Sequence, residues 1–180
     1  MADPNWQPER QQLPPIDNPV GATATQLPLP ATPAAAPEAA SELLQTLKLR
    51  PVDDLSVQLE LPEPCTAVAS GAGQDETWTF ERSIAGSACG LRVTIRRRPL
   101  HDLAELVAAA GELSVGQLED KGKDVSGLVW ARKKPVGPVQ DLWVGLPAGA
   151  VGRIAVCSAP PAYAELARRV CFSLRPIEVP

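Results

Sequence analysis

The stretch Gly90–Glu112, GLRVTIRRRPLHDLAELVAAAGE, predicts the fold most clearly because its hydrophobic period changes part-way along. From Leu91 to Ile95 apolar residues alternate with polar ones, which is typical of a strand with one buried face. After Pro99 the apolar residues recur at helical spacing from Leu103 to Val107, and Gly111 ends that pattern. We therefore predict a strand, a proline break and a helix.

Alternation of the same kind recurs on both sides of this stretch. The strand-like segments are DLSVQLELP (54–62), TWTFERS (77–83), LRVTIRR (91–97), SVGQLED (114–120), VSGLVWARKK (125–134), VQDLWVGLP (139–147) and GRIAVCSAP (152–160). A closing helix is predicted in PPAYAELARRVCFSLRP (160–176), and KGKD (121–124) is predicted as a turn. Short turns favour antiparallel pairing, and the helices must cover the sheet. We predict an α+β fold with a single antiparallel sheet of about six or seven strands and helices packed on it.

The N-terminal part of the chain has a different composition. Residues 1–37 contain nine prolines, separated mostly by Gln, Ala and Thr, which predicts a disordered or polyproline-like tail. Within this tail Trp6 is a candidate docking anchor, although a spacer without a specific role is the alternative. Residues 38–50 are predicted to form a short amphipathic helix capped by Ser41, and residues 52–180 the α+β domain.

Charge and hydropathy exclude several classes of function. The 180-residue chain has a net charge of −4, which does not favour binding to nucleic acid or to an anionic membrane. No apolar run approaches the roughly 20 residues that span a bilayer, so no transmembrane segment is predicted. The N-terminus lacks the features of a signal peptide, which favours a cytoplasmic location; an exported form is the alternative if a signal has been removed.

The residues that usually carry metal or catalytic chemistry are few and scattered. The four cysteines form no C-x-x-C pair, so we expect no metal site; reduced buried thiols and two disulfides both remain open. His101 is the only histidine, and it lies at the predicted start of a helix, where polar residues are expected for structural reasons. No nucleotide-binding, hydrolase or metalloprotease motif is present. We predict no catalytic residue and no cofactor; an enzyme that uses His101 is the least favoured alternative.

Basic residues cluster where two predicted strands end. The clusters are Arg96, Arg97 and Arg98 on one strand and Arg132, Lys133 and Lys134 on another. If both strands end at the same edge of the sheet, the clusters form one cationic patch that suits an acidic partner. Because alternate residues of a strand face opposite sides, each run must also split between the two faces. The pattern favours a solvated, aggregation-resistant edge, with binding of an acidic partner as the alternative.

The strand tryptophans are the other candidates for binding. Trp143 faces away from Leu142 and Val144, so it either packs under a helix or is exposed as a binding anchor with Arg132 and Lys133 beside it. If one tryptophan is exposed, we expect it to be Trp143. The candidate partner-binding residues are Trp143, Arg132, Lys133, Lys134, Arg96, Arg98 and Trp6.

The chain resembles the PsbP-like superfamily over residues 52–176. The segment LEDKGKDVSGLVWARKK (118–134) is similar to that family's strand–dG–strand step, and APPAYAELARRVCFSLRP (159–176) is similar to its closing helix. The order of strands and helices also matches. LELPEPCTAV (59–68) departs from the pattern, since it lacks the Trp of the family's lP.gW.

The resemblance implies a scaffold without a shared reaction. Similar proteins include photosystem oxygen-evolving subunits, factors that bind the Ran GTPase, mycobacterial lipoproteins and bacterial secretion chaperones, and no family site residue maps onto this sequence. We therefore expect a non-enzymatic protein-binding module: an adaptor, a chaperone or an accessory subunit of a larger assembly. The alternative is an exported or lipoprotein-type domain that binds a small apolar ligand between helix and sheet.

Overall fold

The computed structural model describes residues 36–71, 76–84, 87, 89–112, 117–148 and 151–177. Almost all of the predicted tail over residues 1–37, including Trp6, lies outside these residues. Within the described part of the chain the helices are α1 Ala36–Gln45, α2 Leu103–Glu112 and α3 Ala164–Phe172. The strands are β1 Leu47–Val52, β2 Val57–Pro62, β3 Thr66–Ser70, β4 Thr77–Arg82, β5 Leu91–Arg98, β6 Leu118–Lys123, β7 Val129–Lys133, β8 Gln140–Leu146, β9 Gly152–Ala159 and β10 Arg175–Pro176.

The fold is α+β and contains a large antiparallel sheet, as predicted. Its seven strands lie in the order β3-β4-β5-β9-β8-β7-β6, and each strand is antiparallel to its neighbours. The prediction of a single sheet is wrong, because β1, β2 and β10 form a second, three-stranded sheet. The strand predicted over residues 54–62 is shorter than expected, because Asp53–Leu55 forms a short 3-10 turn and only β2, Val57–Pro62, is a strand. It belongs to the smaller sheet, and β3 takes the remaining place in the larger one.

The predicted helix over residues 38–50 is too long. It ends at Gln45, where Thr46 donates from its backbone N–H and its hydroxyl to the Leu43 carbonyl, at 3.1 and 2.8 Å. The residues from Leu47 onward form β1, which pairs with β2 along its whole length. Pro51 lacks an N–H group and suits this edge strand better than the interior of a helix.

The turn predicted at residues 121–124 also lies further along the chain. β6 continues through Lys123, and the turn spans residues 124–127. The Asp124 carboxylate accepts hydrogen bonds from the N–H groups of Ser126 and Leu128, each at 2.9 Å. Gly127 adopts the left-handed conformation, with φ of +87°, which closes the turn.

Each face of the large sheet packs against its own set of elements. One face, with the small sheet, α1 and α3, encloses the larger core, which includes the alternating apolar residues of β2 and β5. The other face packs against α2. The core under α2 consists of Leu100, Leu106, Ala110, Val129, Trp143 and Ile154. Within the described residues, no helix is long and apolar enough to cross a membrane.

Candidate functional site

The two basic clusters do not form one patch. β9 and β8 lie between β5 and β7, and every neighbouring pair is antiparallel, so β5 and β7 run in opposite directions. Arg98 therefore lies opposite Gly152 at one end of the sheet, whereas Arg132 lies near the other end, opposite Leu142. The sheet has three antiparallel pairings between β5 and β7, and an odd number of such pairings reverses the strand direction. This number follows from the order of the strands in the sheet, which the sequence does not show.

Trp143 is buried, as in the alternative in which it packs under a helix, and it is not an exposed binding anchor. Its side chain is 4 % exposed, whereas Trp78 and Trp130 are only half-buried. As the alternation indicated, it points away from Leu142 and Val144, and α2 covers it.

The structure does bring two of the predicted basic residues to Trp143. The guanidinium carbon of Arg96 lies 5.7 Å from the centre of the Trp143 ring, and the Lys133 ammonium lies 5.2 Å from it. Both contacts are in the range of cation–π interactions. Burial lowers the pKa of Arg96, and the nearby charge of Arg98 lowers it further. Both cations therefore contact the indole that packs under α2.

The run from Arg132 to Lys134 splits between the two faces, as expected. Lys133 is 3 % exposed, and its ammonium group donates to the carbonyl of Ala110 in the last turn of α2. A cation at this helix end is favourable because the carbonyl dipoles converge there. Burial lowers the pKa of Lys133, and Asp141 partly opposes this effect. Lys134 is exposed, and Arg132 points to the opposite face.

His101 is an exposed residue at the start of α2. The Asp102 carboxylate accepts a hydrogen bond from the Glu105 N–H at 3.1 Å, and the Glu105 carboxylate accepts one from the His101 N–H. Together these two hydrogen bonds cap the helix. The geometry therefore accounts for His101 and Asp102 by their position at a helix N-terminus.

A cleft opens on the face of the sheet that carries α3, between α3 and the outer strands β6–β8. Its volume is about 150 Å³. Trp130 and Leu142 line it from the strands, and Phe172 lines it from the last turn of α3. The Trp130 and Phe172 rings meet edge to face, with 6.2 Å between their centres and 73° between their planes. We call this site the Trp130–Phe172 cleft.

The cleft exists because α3 presents small side chains above this part of the sheet. Ala164 and Ala167 line it, where larger residues would fill the space between helix and sheet. The Cys157–Cys171 disulfide joins the last turn of α3 to β9, with 6.1 Å between the two Cα atoms. Because Phe172 follows Cys171 directly, the disulfide also constrains the position of Phe172 relative to β9.

The rim of the cleft is charged, and on the strand side its charges are paired. Arg132 contacts Asp120 at 2.8 Å and Glu119 at 3.3 Å. On the helix side, the guanidinium of Arg168 lies 4.9 Å from the centre of the Phe172 ring. The cleft therefore combines an aromatic lining with hydrogen-bonding groups at its edge.

Arg132 is the one predicted partner-binding residue that lines the cleft, and the cleft itself was not predicted. Trp130 carried a signal, since it shares a strand face with Arg132 and Leu128. The α3 residues that line the cleft could not be predicted, because no sequence pattern indicates that Ala164 and Phe172 lie opposite β7.

The cysteines adopt neither of the two arrangements left open by the sequence. Cys157 and Cys171 form the buried disulfide, and Cys65 and Cys89 carry free thiols. Across the residues that the structure describes, no three His, Cys, Asp or Glu side chains are grouped to hold a metal ion.

Comparisons with known proteins identify no family. No protein-family model matches the sequence, and no curated protein matches it. Among the solved structures that match is a crystal structure from Bacteroides thetaiotaomicron VPI-5482, with a TM-score of 0.41 and 12 % sequence identity. The match covers 68 % of this chain and 46 % of that chain, so this chain spans less than half the length of that protein.

Proposed function

We propose that this chain is a non-enzymatic protein-binding module whose Trp130–Phe172 cleft receives an apolar side chain of the partner. The observation that carries the proposal is the open space between α3 and the sheet, which two aromatic rings in mutual contact line, one from each side. Aromatic residues at the centre of a contact, surrounded by polar groups, are typical of the residues that dominate binding energy.

The size of the cleft favours a side chain over a free ligand. Pockets for small molecules usually enclose about 300–1,000 Å³. A space of about 150 Å³ holds one group of roughly the size of benzene. A leucine or phenylalanine side chain of a partner matches this volume, and the partner's backbone would lie across the rim.

The paired charges of the rim support a partner with polar groups around its apolar anchor. Glu119 and Asp120 hold Arg132 in one orientation, so its guanidinium is pre-organised beside the opening. Arg168 lies over Phe172 on the opposite side. Backbone carbonyls or an acidic side chain of the partner can accept hydrogen bonds from either guanidinium.

The PsbP-like resemblance supports the same class of function. As a protein-binding module, the domain acts as an adaptor, a chaperone or an accessory subunit. Trp6, in the proline-rich segment outside the described residues, provides a second contact with the partner. The proposal includes no catalytic role for His101, because its exposed position at a helix start is explained by capping.

The second candidate function is binding of a small apolar ligand by an exported domain. The buried Cys157–Cys171 disulfide favours this candidate, because such bridges persist mainly in oxidising compartments. It also weakens the argument for a cytoplasmic location, which rested on the N-terminal residues alone. The same cleft is the binding site in both proposals.

The proposal is tested by selecting peptides from a random displayed library on the full chain and measuring their affinity calorimetrically. The key variant is Ala164→Leu, which adds three carbons into the cleft without removing a polar contact. We expect selected peptides to share one large apolar residue and to bind this variant at least about tenfold more weakly.

The matched control is Ala108→Leu on α2, because Ala108 is exposed on the other face of the sheet. It should bind the peptides as the unaltered chain does. Equal binding to both variants would exclude the cleft as the site. If no peptide is selected but small aromatic compounds shift the NMR signals of Trp130, and Ala164→Leu abolishes the shift, the ligand-binding candidate replaces the protein-binding one.

A further inference from the structure

The strand β3 is an open edge of the large sheet. Among the described residues it pairs with β4 alone, and all five of its side chains are exposed. Val68 at its centre is 61 % exposed. The strand Thr66–Ser70 contains no charged residue and no proline, so no side chain prevents another strand from pairing with its free backbone groups.

The opposite edge of the same sheet is protected. β6 carries Glu119, Lys121 and Lys123, and a bulge interrupts its pairing with β7 between Leu118 and Asp120. Charges and bulges are the usual devices that prevent edge-to-edge pairing. One edge is thus protected and the other is open.

The sequence of β3 is nearly the same in both directions. Thr66-Ala67-Val68-Ala69-Ser70 reads as hydroxyl, Ala, Val, Ala, hydroxyl from either end. When two such strands pair antiparallel about Val68, valine faces valine, alanine faces alanine, and Thr66 faces Ser70 of the other copy. An interface with two-fold symmetry requires this self-complementarity.

We propose that two copies of this chain dimerise by antiparallel pairing of their β3 strands, with Val68 of each copy at the two-fold axis. The pairing joins two seven-stranded sheets into one. It also extends an apolar surface, because Ala67 and Ala69 lie opposite Phe80 and Trp78 of β4. The contact is short, at about 17 Å for five residues, so the dimer dissociates on dilution.

The test is analytical ultracentrifugation of the full chain from about 10 μM to about 1 mM. We expect the mass to rise from monomer to dimer over this range. Val68→Lys places two like charges directly opposite each other at the axis and should abolish the dimer. The matched control is Val125→Lys in the turn after β6, where the valine is fully exposed and lies far from β3, at the opposite side of the sheet.

A mixture of two variants tests the register directly. Val68→Lys and Val68→Glu should each be monomeric, whereas their equimolar mixture should form a heterodimer, because the opposite charges then meet at the axis. Val68 contributes little to the core, and circular dichroism should show both variants folded.

Three results would overturn the proposal: a wild-type chain that stays monomeric to about 1 mM, a Val68→Lys chain that still dimerises, or a mixture that does not associate. The first would leave β3 available to an extended segment of a different protein. The edge does not line the Trp130–Phe172 cleft, so Ala164→Leu should leave dimerisation unchanged.

Discussion

Gly122 lies directly opposite Trp130 in the pairing of β6 with β7, and a methyl group on Gly122 would approach the indole to 2.8 Å. Because residue 122 has no side chain, the indole of Trp130 can pack directly against the backbone of β6. This pair connects a glycine that looked like a turn residue in the sequence to the lining of the candidate cleft.

We predict that Gly122→Ala destabilises the fold by about 1–3 kcal/mol, because the indole of Trp130 must move to accommodate the methyl group. The measurement is urea unfolding followed by tryptophan fluorescence. The control is Gly111→Ala in α2, where the new methyl group meets nothing within 4 Å. It should stabilise by up to about 1 kcal/mol, since alanine favours the helix.

The Cys157–Cys171 bridge gives a second prediction. The unreduced, denatured chain should contain two reactive thiols, those of Cys65 and Cys89, and four after reduction. Replacing both bridged cysteines by alanine should cost about 3 kcal/mol, the value for a cross-link of this loop length. The Cys65→Ala, Cys89→Ala double variant is the control and should retain stability. Four reactive thiols before reduction would contradict the pairing.

The buried Lys133 predicts a pH dependence of stability. Its pKa in the folded chain is lowered, mainly by burial, so between that pKa and the unfolded value near 10.5 the unfolded state binds more protons. The free energy of unfolding of the wild type, relative to Lys133→Met, should therefore rise as the pH increases through this interval and fall as it decreases. A difference that is constant between about pH 7 and 10.5 would show that Lys133 titrates normally.

The start of α2 distinguishes capping from catalysis. Asp102→Ala should lower stability by about 1 kcal/mol, because the Glu105 N–H loses its acceptor. His101→Ala should change stability by less than about 0.5 kcal/mol, since the side chain is exposed and its backbone N–H makes the bond to Glu105. A larger loss for His101→Ala than for Asp102→Ala in thermal unfolding would contradict this assignment.

Predictions made from alternation agree with the structure on which residues share a face in β5, β7 and β8. Leu142 and Val144 face one core and Trp143 faces the other, as their spacing indicated. The helix predicted after Pro99 is present as α2 for the same reason, since it depends on neighbouring residues, although Gly111 lies inside it and does not end it. The strand β1 was missed because its leucines at 47 and 49 also continue the helical spacing of Leu43 and Leu44. The strand β3 was missed because all five of its side chains are exposed, so no buried face marks it.

In the candidate site, too, local features could be predicted and contacts between distant residues could not. The sequence by itself determined that the basic run Arg132–Lys134 splits between two faces, because consecutive side chains of any strand point to opposite sides. Only the tertiary structure decided that Lys133 lies under α2, that Arg132 lies at a cleft beside α3, and that β5 and β7 end at opposite ends of the sheet. Strand order and helix placement arise from packing between residues far apart in the chain, and that packing leaves no local pattern in the sequence.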